Sequence, residues 1–308
     1  MTDHVLVPIL SSTIVAATPL IYAATGELVA ERSGVVNLGV EGMMLIGAVT
    51  AFAAALAGYP PFVAGIAAAG AGALASLVFA VLALSLATNQ YAAGLALTIL
   101  GSGLSAFIGH DFGGSSLTTI AKIHLPVLSD LPVVGPVLFA HDPMVYLALA
   151  LVAAVWWFLY RTKAGLVVRI VGEAPHSAHA IGYPVIMIRY FATMFGGAMA
   201  GLGGAYLALA YTPLWVENMT AGRGWIALAL VVFAAWRPGR VLLGAWLFGG
   251  VTVLQLFAQG IGIKVPSELL SSLPYIATIV VLVAISRNPK TLRLNAPVSL
   301  GQAFRPQG

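Results

Sequence analysis

The feature that most constrains this chain is a series of nine apolar segments that contain only one charged residue between them. They run approximately over residues 5–25, 41–57, 62–87, 91–110, 143–160, 190–211, 225–236, 241–258 and 271–286. A helix needs about 20 apolar residues to cross the hydrocarbon core of a bilayer, whereas a membrane strand alternates in hydrophobicity over about ten residues. We therefore predict an all-α, polytopic helical bundle that spans a lipid bilayer.

Two of the segments, 41–57 and 225–236, are short for a complete span. Such segments occur as broken or partial helices where irregular backbone lines a cavity, so we predict about eight to ten spans. Only 8% of the 308 residues are charged, against roughly 25% in soluble domains, which excludes a water-soluble fold. The chain has no cysteine, which excludes disulfides and thiolate metal sites.

The basic residues predict the orientation of the bundle. If the N-terminus is outside, 11 of the 14 lysines and arginines lie inside, and only Lys122, Arg223 and Lys264 lie outside. The inside set is Arg32, Arg161, Lys163, Arg169, Arg189, Arg237, Arg240, Arg287, Lys290, Arg293 and Arg305. The positive-inside rule favours this arrangement. It makes residues 1–286 the transmembrane domain and residues 287–308 a cytoplasmic tail, which we expect to be loosely ordered.

The loop 161–189 is the longest polar interruption flanked by basic residues, and it is predicted to lie in the cytoplasm. Pro175 suits a first helical position and Gly182 suits the residue after a helix end, so a helix of about two turns is predicted over 175–181. Its predicted faces are Ala174, Ala178 and Ile181 on one side and His176 and His179 on another. Either this segment is an ordinary loop between spans, or it docks in a groove of another protein.

Polar residues in or beside the spans are candidates for a translocation path. Asn37 and Glu41 are four residues apart in ERSGVVNLGVEGMMLIGA, so on a helix they would share a face. They either line a polar path on a broken helix or cap the helix that follows. Asn89 and Gln255 either contact a hydroxylated or heterocyclic solute or bond to a neighbouring helix.

The segment GGAMAGLGGAY predicts close helix packing. Gly197 and Gly201 form a GxxxG pattern, and Gly204 continues the small-residue spacing. Small residues let helix backbones approach closely in lipid. The contact is predicted either within one subunit or at a subunit interface.

Several functional classes lack their motifs in this chain. There is no GxxxxGK[ST] loop for nucleotide phosphates, and neither HExxH nor GxSxG occurs. Ionisable residues are nearly absent from the predicted spans, which argues against an ion-driven relay. We therefore expect a chain that is not an enzyme, needs no metal or cofactor of its own and binds no nucleic acid. We expect it to provide a passive translocation path that is powered from outside the chain, through the cytoplasmic loop.

Three stretches carry a resemblance to a known family. ERSGVVNLGVEGMMLIGA, VGEAPHSAHAIGYPVIMIRYFATMFGGAMAGLGGAYLAL and GRGWIALALVVFAAWRP occur in this order. They resemble the permease subunit of bacterial ABC importers, over about residues 20–285. The similarity is to the branch for nucleosides and simple sugars, which is related to ribose and branched-chain amino-acid permeases.

The resemblance implies a translocation subunit in the bacterial inner membrane that moves nucleosides or simple sugars by alternating access. It implies two ATP-binding cassette subunits that bind the ATP and an extracytoplasmic solute-binding protein or lipoprotein. A second, related permease is expected as the partner in a heterodimer, with a homodimer as the alternative. Two other functions stay open: a branched-chain amino-acid ABC permease and a self-sufficient secondary transporter.

The resemblance also implies that the short helix of loop 161–189 docks in the ATPase. The EAA-type signature of such importers is only loosely matched, because Pro175 replaces its second alanine. The expected contact residues are Glu173, Ala174, His176, Ala178, His179, Ile181 and Gly182.

Overall fold

The computed structural model describes residues 3–124, 126–260, 266, 269, 272–286 and 295–305. The described helices are α1 (Asp3–Arg32), α2 (Val40–Leu56), α3 (Pro61–Ala80), α4 (Gln90–Gly109), α5 (Val134–Leu138), α6 (Pro143–Arg161), α7 (Lys163–Glu173), α8 (Pro175–Ala180), α9 (Val185–Tyr206), α10 (Arg223–Phe233), α11 (Pro238–Gly260) and α12 (Leu273–Ser286). One π-helical turn follows α3 and another follows α9. No strand occurs among these residues beyond one isolated bridge, so the predicted helical bundle is confirmed.

Within the described part of the chain, six helices are long and apolar enough to cross a membrane. They cover Leu6–Arg32, Pro61–Ser85, Gln90–Phe112, Pro143–Arg161, Val185–Tyr211 and Pro238–Gly260. The two segments that were predicted to be partial form the shorter apolar helices α2 and α10. Four basic residues used for the predicted orientation, Lys264, Arg287, Lys290 and Arg293, lie outside the described residues.

The first helix continues to Arg32 rather than ending near residue 25. Its last two turns contain Glu27 and Glu31, which are both buried. Glu27 accepts a hydrogen bond from the backbone N–H of Asn37, and Glu31 accepts one from the indole N–H of Trp236. Buried carboxylates are tolerated when they are hydrogen-bonded, and these partners come from distant parts of the fold.

The short helix α2 is enclosed by protein. Twelve of its 17 residues are buried, and it packs against α3, α4, α9 and α10. A helix buried in protein need not match the thickness of the hydrocarbon layer. The three glycines singled out in the sequence lie on α9 and make close contacts with two neighbouring helices: Gly197 and Gly201 face backbone carbonyls of α3, and Gly204 faces the carbonyl of Met44 in α2. These contacts lie within one chain.

Residues 33–39, called the re-entrant segment below, lead from the end of α1 back into the bundle. The N–H of Val36 donates to the side-chain oxygen of Gln90 at 2.9 Å, and the N–H of Asn37 donates to Glu27 at 3.1 Å. Glu27 lies five residues before the end of α1, which is about 7 Å at 1.5 Å per residue. The helix α2 therefore begins inside the bundle. It runs away from the end of the bundle at which α1 ends and α8 lies, called the α8 end below.

The helix α10 also begins inside the bundle, but it runs towards the α8 end. Trp236, three residues after α10, bonds to Glu31 and accepts from the guanidinium of Arg32 at 2.9 Å. The 14 residues from Arg223 to Trp236 place the start of α10 roughly 15–20 Å from that end. Two short helices thus start deep in the bundle and leave it in opposite directions.

Residues 295–305, called the C-terminal strap below, pack against the α8 end. Ser299 bonds through its N–H and its hydroxyl to the carbonyl oxygen of Gly172, at 3.0 and 2.6 Å. Phe304 is buried with Val171, Ala178 and Val185. The expectation of a loosely ordered tail is therefore wrong for this segment, because its polar and apolar groups meet partners on α7, α8 and α9. The other tail residues, 287–294 and 306–308, lie outside the described part.

Candidate functional site

The carboxylate of Glu41 joins α2 to α10. One oxygen accepts from the hydroxyl of Thr220 at 2.6 Å and from the N–H of Gly222 at 2.8 Å, and the other accepts from the N–H of Gly224 at 2.6 Å. Glu41 is only 4% exposed. All three partners are donors, so the group acts purely as an acceptor, as an ionised carboxylate does.

The sequence around the start of α10 suits this contact. Gly222 has φ +80°, a left-handed conformation that favours glycine. A Cβ on Gly224 would lie 2.6 Å from the backbone of Glu41, so only glycine permits the approach. The first N–H groups of a helix have no partner within it and carry a partial positive charge. Glu41 satisfies two such groups.

The other predicted path residues lie in different surroundings. Asn37 is buried and precedes α2, where its side chain accepts from the N–H of Gly39 at 2.8 Å. The idea that Asn37 and Glu41 share a helix face is therefore wrong, because Asn37 is not on the helix. Asn89 caps its own helix α4 by accepting from the N–H of Tyr91 at 2.9 Å, a role that differs from both the solute contact and the bond to a neighbouring helix considered in the sequence.

Gln255 lies on α11, beside an outer cleft of about 780 Å³. Its neighbours Val253 and Leu256 line this cleft, together with Lys122 and Asp142. Asn89 is at the start of α4, next to the re-entrant segment, so the structure does not bring the four predicted path residues together. It pairs Glu41 instead with Thr220, Gly222 and Gly224, which the sequence reasoning missed. The glycine-punctuated TAGRGW stretch was the available signal.

The second candidate site is the short helix α8, over Pro175–Ala180 and close to its predicted bounds. Gly182 follows with φ +93°, as expected for the residue after a helix end. Six of the seven predicted contact residues are exposed: Glu173, Ala174, His176, His179, Ile181 and Gly182. Ile181 is 69% exposed, an unusual position for a large apolar side chain.

Ala178 is the exception and corrects the prediction. Its side chain is 0% exposed and packs on Val171, Val185 and Phe304 of its own chain. The apolar face of α8 at Ala178 therefore holds the helix to the bundle and is not available to a partner. Periodicity identified this face but could not identify what covers it.

The buried guanidinium of Arg189 connects α9 to the surrounding segments. It donates to the carbonyl of Ser33 at 3.0 Å, to the hydroxyl of Ser299 at 2.9 Å and to the carbonyl of Gln302 at 3.1 Å. The ring of Phe304 lies 5.1 Å from that of His176 on α8. The strap therefore touches α8, α9 and the start of the re-entrant segment.

The described residues contain no group of three or more histidine, cysteine, aspartate or glutamate side chains that could hold a metal ion. Their only close contacts between basic and acidic side chains join His110 to Asp111 and His124 to Asp130, and all four side chains are exposed. The buried polar groups of Glu41 and Arg189 instead hold neighbouring segments together through internal hydrogen bonds.

Comparison with known proteins gives a consistent result. Residues 9–284 match the family described as "Branched-chain amino acid transport system / permease component". The chain is 42% identical to a protein of Haloferax volcanii provisionally named glucose ABC transporter permease protein TsgC13, over 96% of this chain and 97% of that protein. It is 36% identical to the guanosine ABC transporter permease protein NupQ of Bacillus subtilis, over 89% and 90%. It is 32% identical to the nucleoside ABC transporter permease protein NupC of Lactococcus lactis, again over 89% and 90%.

Proposed function

Because the chain belongs to this permease family and is the translocation subunit of an ABC importer, we propose that its solute is a nucleoside or a simple sugar. The similar proteins carry glucose, guanosine and nucleoside in their names, and all of these are hydroxylated solutes. The chain is not an enzyme, and ATP hydrolysis belongs to partner subunits. Branched-chain amino acids are the second candidate, because the family is described by them.

The observation that carries the proposed mechanism is the junction of α2 and α10 at Glu41. Two short helices that start deep in a bundle are characteristic of transporters, where half-helix N-termini meet near the middle of the membrane. The junction links an early segment of the chain to a late one through three hydrogen bonds. We expect the two helices to move together when the path alternates between its two sides.

A continuous set of contacts leads from α8 to this junction. Phe304 packs on α8, and the strap bonds to Arg189 and, through the N–H of Gly301, to the carbonyl of Gly34 at 3.1 Å. Gly34 lies near the start of the re-entrant segment, which leads into α2. A displacement of α8 can therefore reach Glu41 through packed groups without passing through the lipid-facing helices.

ATPase and solute-binding partners follow from the family. We further propose two ATP-binding cassette subunits, each contacting one permease through Glu173, Ala174, His176, His179, Ile181 and Gly182. A second, related permease would complete the path in a heterodimer, with a homodimer as the alternative. The binding partner would be an extracytoplasmic protein or lipoprotein, and ATP would be the only cofactor, held by the ATPase subunits.

We also propose the bacterial inner membrane as the location, with the C-terminus in the cytoplasm. The α8 end gathers Arg32, Arg169, Arg189, Arg237 and Arg240 among the described residues, as the positive-inside rule requires of a cytoplasmic face. The strap packs against this same end.

Transport by the assembled importer tests the solute and the mechanism. Proteoliposomes with ATP inside should take up labelled nucleoside or sugar, and leucine should not compete. Uptake of leucine instead would favour the amino-acid permease, and uptake by this chain alone, driven by an ion gradient without ATP, would refute the importer mechanism.

Phe304→Ala tests the contact between the strap and α8. It removes a buried ring from α8 and should separate ATP hydrolysis from uptake, so that solute transported per ATP falls severalfold. Val298→Ala, at an exposed strap position, is the matched control and should leave that ratio unchanged. Unchanged coupling in both variants would contradict the proposed route.

A further inference from the structure

A large basic pocket lies beside α8, outside the proposed path. Its volume is about 930 Å³, and it is bounded by the end of α6, by α7, by the start of α11 and by the strap residues Asn295 and Pro297. Arg32, Arg169, Arg237 and Arg240 line it, and Glu173 is the only acidic residue among the lining side chains. Four guanidinium groups and one carboxylate leave the pocket strongly positive.

Glu173 offsets only part of the positive charge of the pocket within the described chain. None of the four arginines forms an ion pair with a described carboxylate. Arg32 donates only to neutral oxygens, including the carbonyls of Trp236 and Asn295. The carboxylate of Glu173 already accepts from the N–H of Val298 at 2.9 Å.

Arg169 gives the clearest indication of a missing partner. Its guanidinium stacks 5.3 Å from the ring centre of Tyr160, yet its Nε is buried with no hydrogen-bond acceptor. A buried donor without an acceptor is costly, and each such group in a native structure calls for an explanation. An anion in the pocket would supply the acceptor after a rotation of the guanidinium that turns this enclosed Nε towards the pocket.

Two further features favour a phosphate group. The helix α11 begins at this pocket with Arg237-Pro238-Gly239-Arg240, and helix N-termini carry a partial positive charge that favours phosphate. The arginine fork matches the oxygens of a phosphate with two parallel hydrogen bonds.

The rim of the pocket identifies the source of the phosphate. Trp156 and Leu166 line it and are 46% and 47% exposed. Both belong to the membrane-proximal parts of α6 and α7, and tryptophan is typical of the level of lipid headgroups. A soluble anion makes no favourable contact with an exposed apolar rim, whereas the acyl chains of a phospholipid pack against one.

We propose that this pocket binds the phosphate headgroup of an anionic phospholipid, with the acyl chains lying against Trp156 and Leu166. Arg169 on α7 and Arg240 on α11, which both line the pocket, hold the phosphate. Because α7 continues into α8, the bound lipid fixes the base of the ATPase-docking helix.

The test uses the assembled importer in nanodiscs and native mass spectrometry of retained lipids. The probes are phosphatidylglycerol and cardiolipin as anionic lipids and phosphatidylcholine as the neutral comparison. Each basic residue near an anionic lipid surface contributes about fivefold in affinity, equivalent to ~1 kcal/mol. The double variant Arg169→Gln/Arg240→Gln should therefore retain anionic lipid about thirtyfold less well.

Lys163→Gln is the matched control, because Lys163 carries the same charge at the start of α7 but does not line the pocket. It should retain anionic lipid as the wild type does. Equal loss in this control, or unchanged retention in the double variant, would overturn the site.

Two further arms distinguish other occupants. Displacement of the lipid by millimolar inorganic phosphate would overturn the lipid assignment in favour of a soluble anion. Retention of the lipid by the permease without ATPase subunits, but not by the assembled importer, would overturn the proposal and assign the pocket to the docking interface. Unchanged uptake per ATP in neutral lipid alone would refute the role in holding α8 but not the solute path, so this failure is distinct from failure of the proposed function.

Discussion

Removal of the Glu41 carboxylate should destabilise the junction between α2 and α10. In Glu41→Ala, the hydroxyl of Thr220 and the N–H of Gly224 lose their acceptor inside the protein, and the partly buried N–H of Gly222 loses its own. A buried donor left unsatisfied costs about 1–3 kcal/mol. Two such donors and one partly shielded from water give an expected loss of about 4 kcal/mol, or roughly a thousandfold in the folding equilibrium.

Glu41→Gln refines the expectation because it conserves volume. The amide oxygen of the new side chain would face the two donors that share one carboxylate oxygen, Thr220 and Gly222. Its NH₂ group would then face the N–H of Gly224, donor against donor. One hydrogen bond to a charged acceptor is lost and one repulsion is added, so about 2 kcal/mol should be lost.

Unfolding of the purified protein in detergent, titrated with a denaturing surfactant and followed by tryptophan fluorescence, measures these losses. A cycle with Thr220→Val isolates the pair: the valine should cost about 1–2 kcal/mol in the wild type and nearly nothing beside Glu41→Ala. Glu217→Gln, at an exposed acid in the connection before α10, is the control. Equal stability of Glu41→Ala and Glu217→Gln would refute the reasoning. So would a loss of stability from Thr220→Val that is the same in the wild type and in Glu41→Ala.

Three other substitutions follow from the packing. Arg189→Gln removes a buried guanidinium with three acceptors. It should lower the free energy of unfolding by about 3 kcal/mol and make the strap accessible to protease. Arg305→Gln, at an exposed strap position, should have neither effect. Gly204→Ala introduces a methyl group into a helix contact and should lower stability by about 1–3 kcal/mol, while Gly70→Ala, with open space around it, should be neutral or stabilising on the same thermal unfolding scale. Ile181→Glu should abolish co-purification of the ATPase subunit without altering the unfolding transition, since this side chain is exposed.

Much of the architecture could be predicted from the apolar segments. Helix positions followed from segment length, and the partial character of α2 and α10 followed from their shortness. The end of α1 could not be predicted, because Glu27 and Glu31 would stop a span in lipid. Their acceptable burial depends on an N–H and an indole that lie elsewhere in the sequence.

The candidate sites also combine features that the local sequence specifies with features that depend on distant residues. The short helix α8 is specified locally by Pro175 and Gly182, and its bounds could be predicted from those two residues. The burial of Ala178 could not, because Phe304 covers it from more than 120 residues away. The role of Glu41 needed the same long-range knowledge, since its partners lie about 180 residues further along the chain.

Helix electrostatics explain why a carboxylate is required at Glu41. Each helix N-terminus carries about half a positive charge and several N–H groups without partners. The helices α2 and α10 both begin inside the bundle, so two such ends lie in a region of low dielectric. Glu41 lies in the first turn of α2 and bonds to the start of α10, and its single charge therefore offsets both ends.

This balance has a consequence for the solute. At the junction, Glu41 is held by three donors, and the side-chain oxygen of Asn37 is held by the N–H of Gly39. A path beside these two occupied side chains would offer a sugar or nucleoside few fixed partners. It can therefore let a neutral polar solute pass without holding it tightly, because tight binding halfway would slow release. Selectivity then has to come from the partner that delivers the solute.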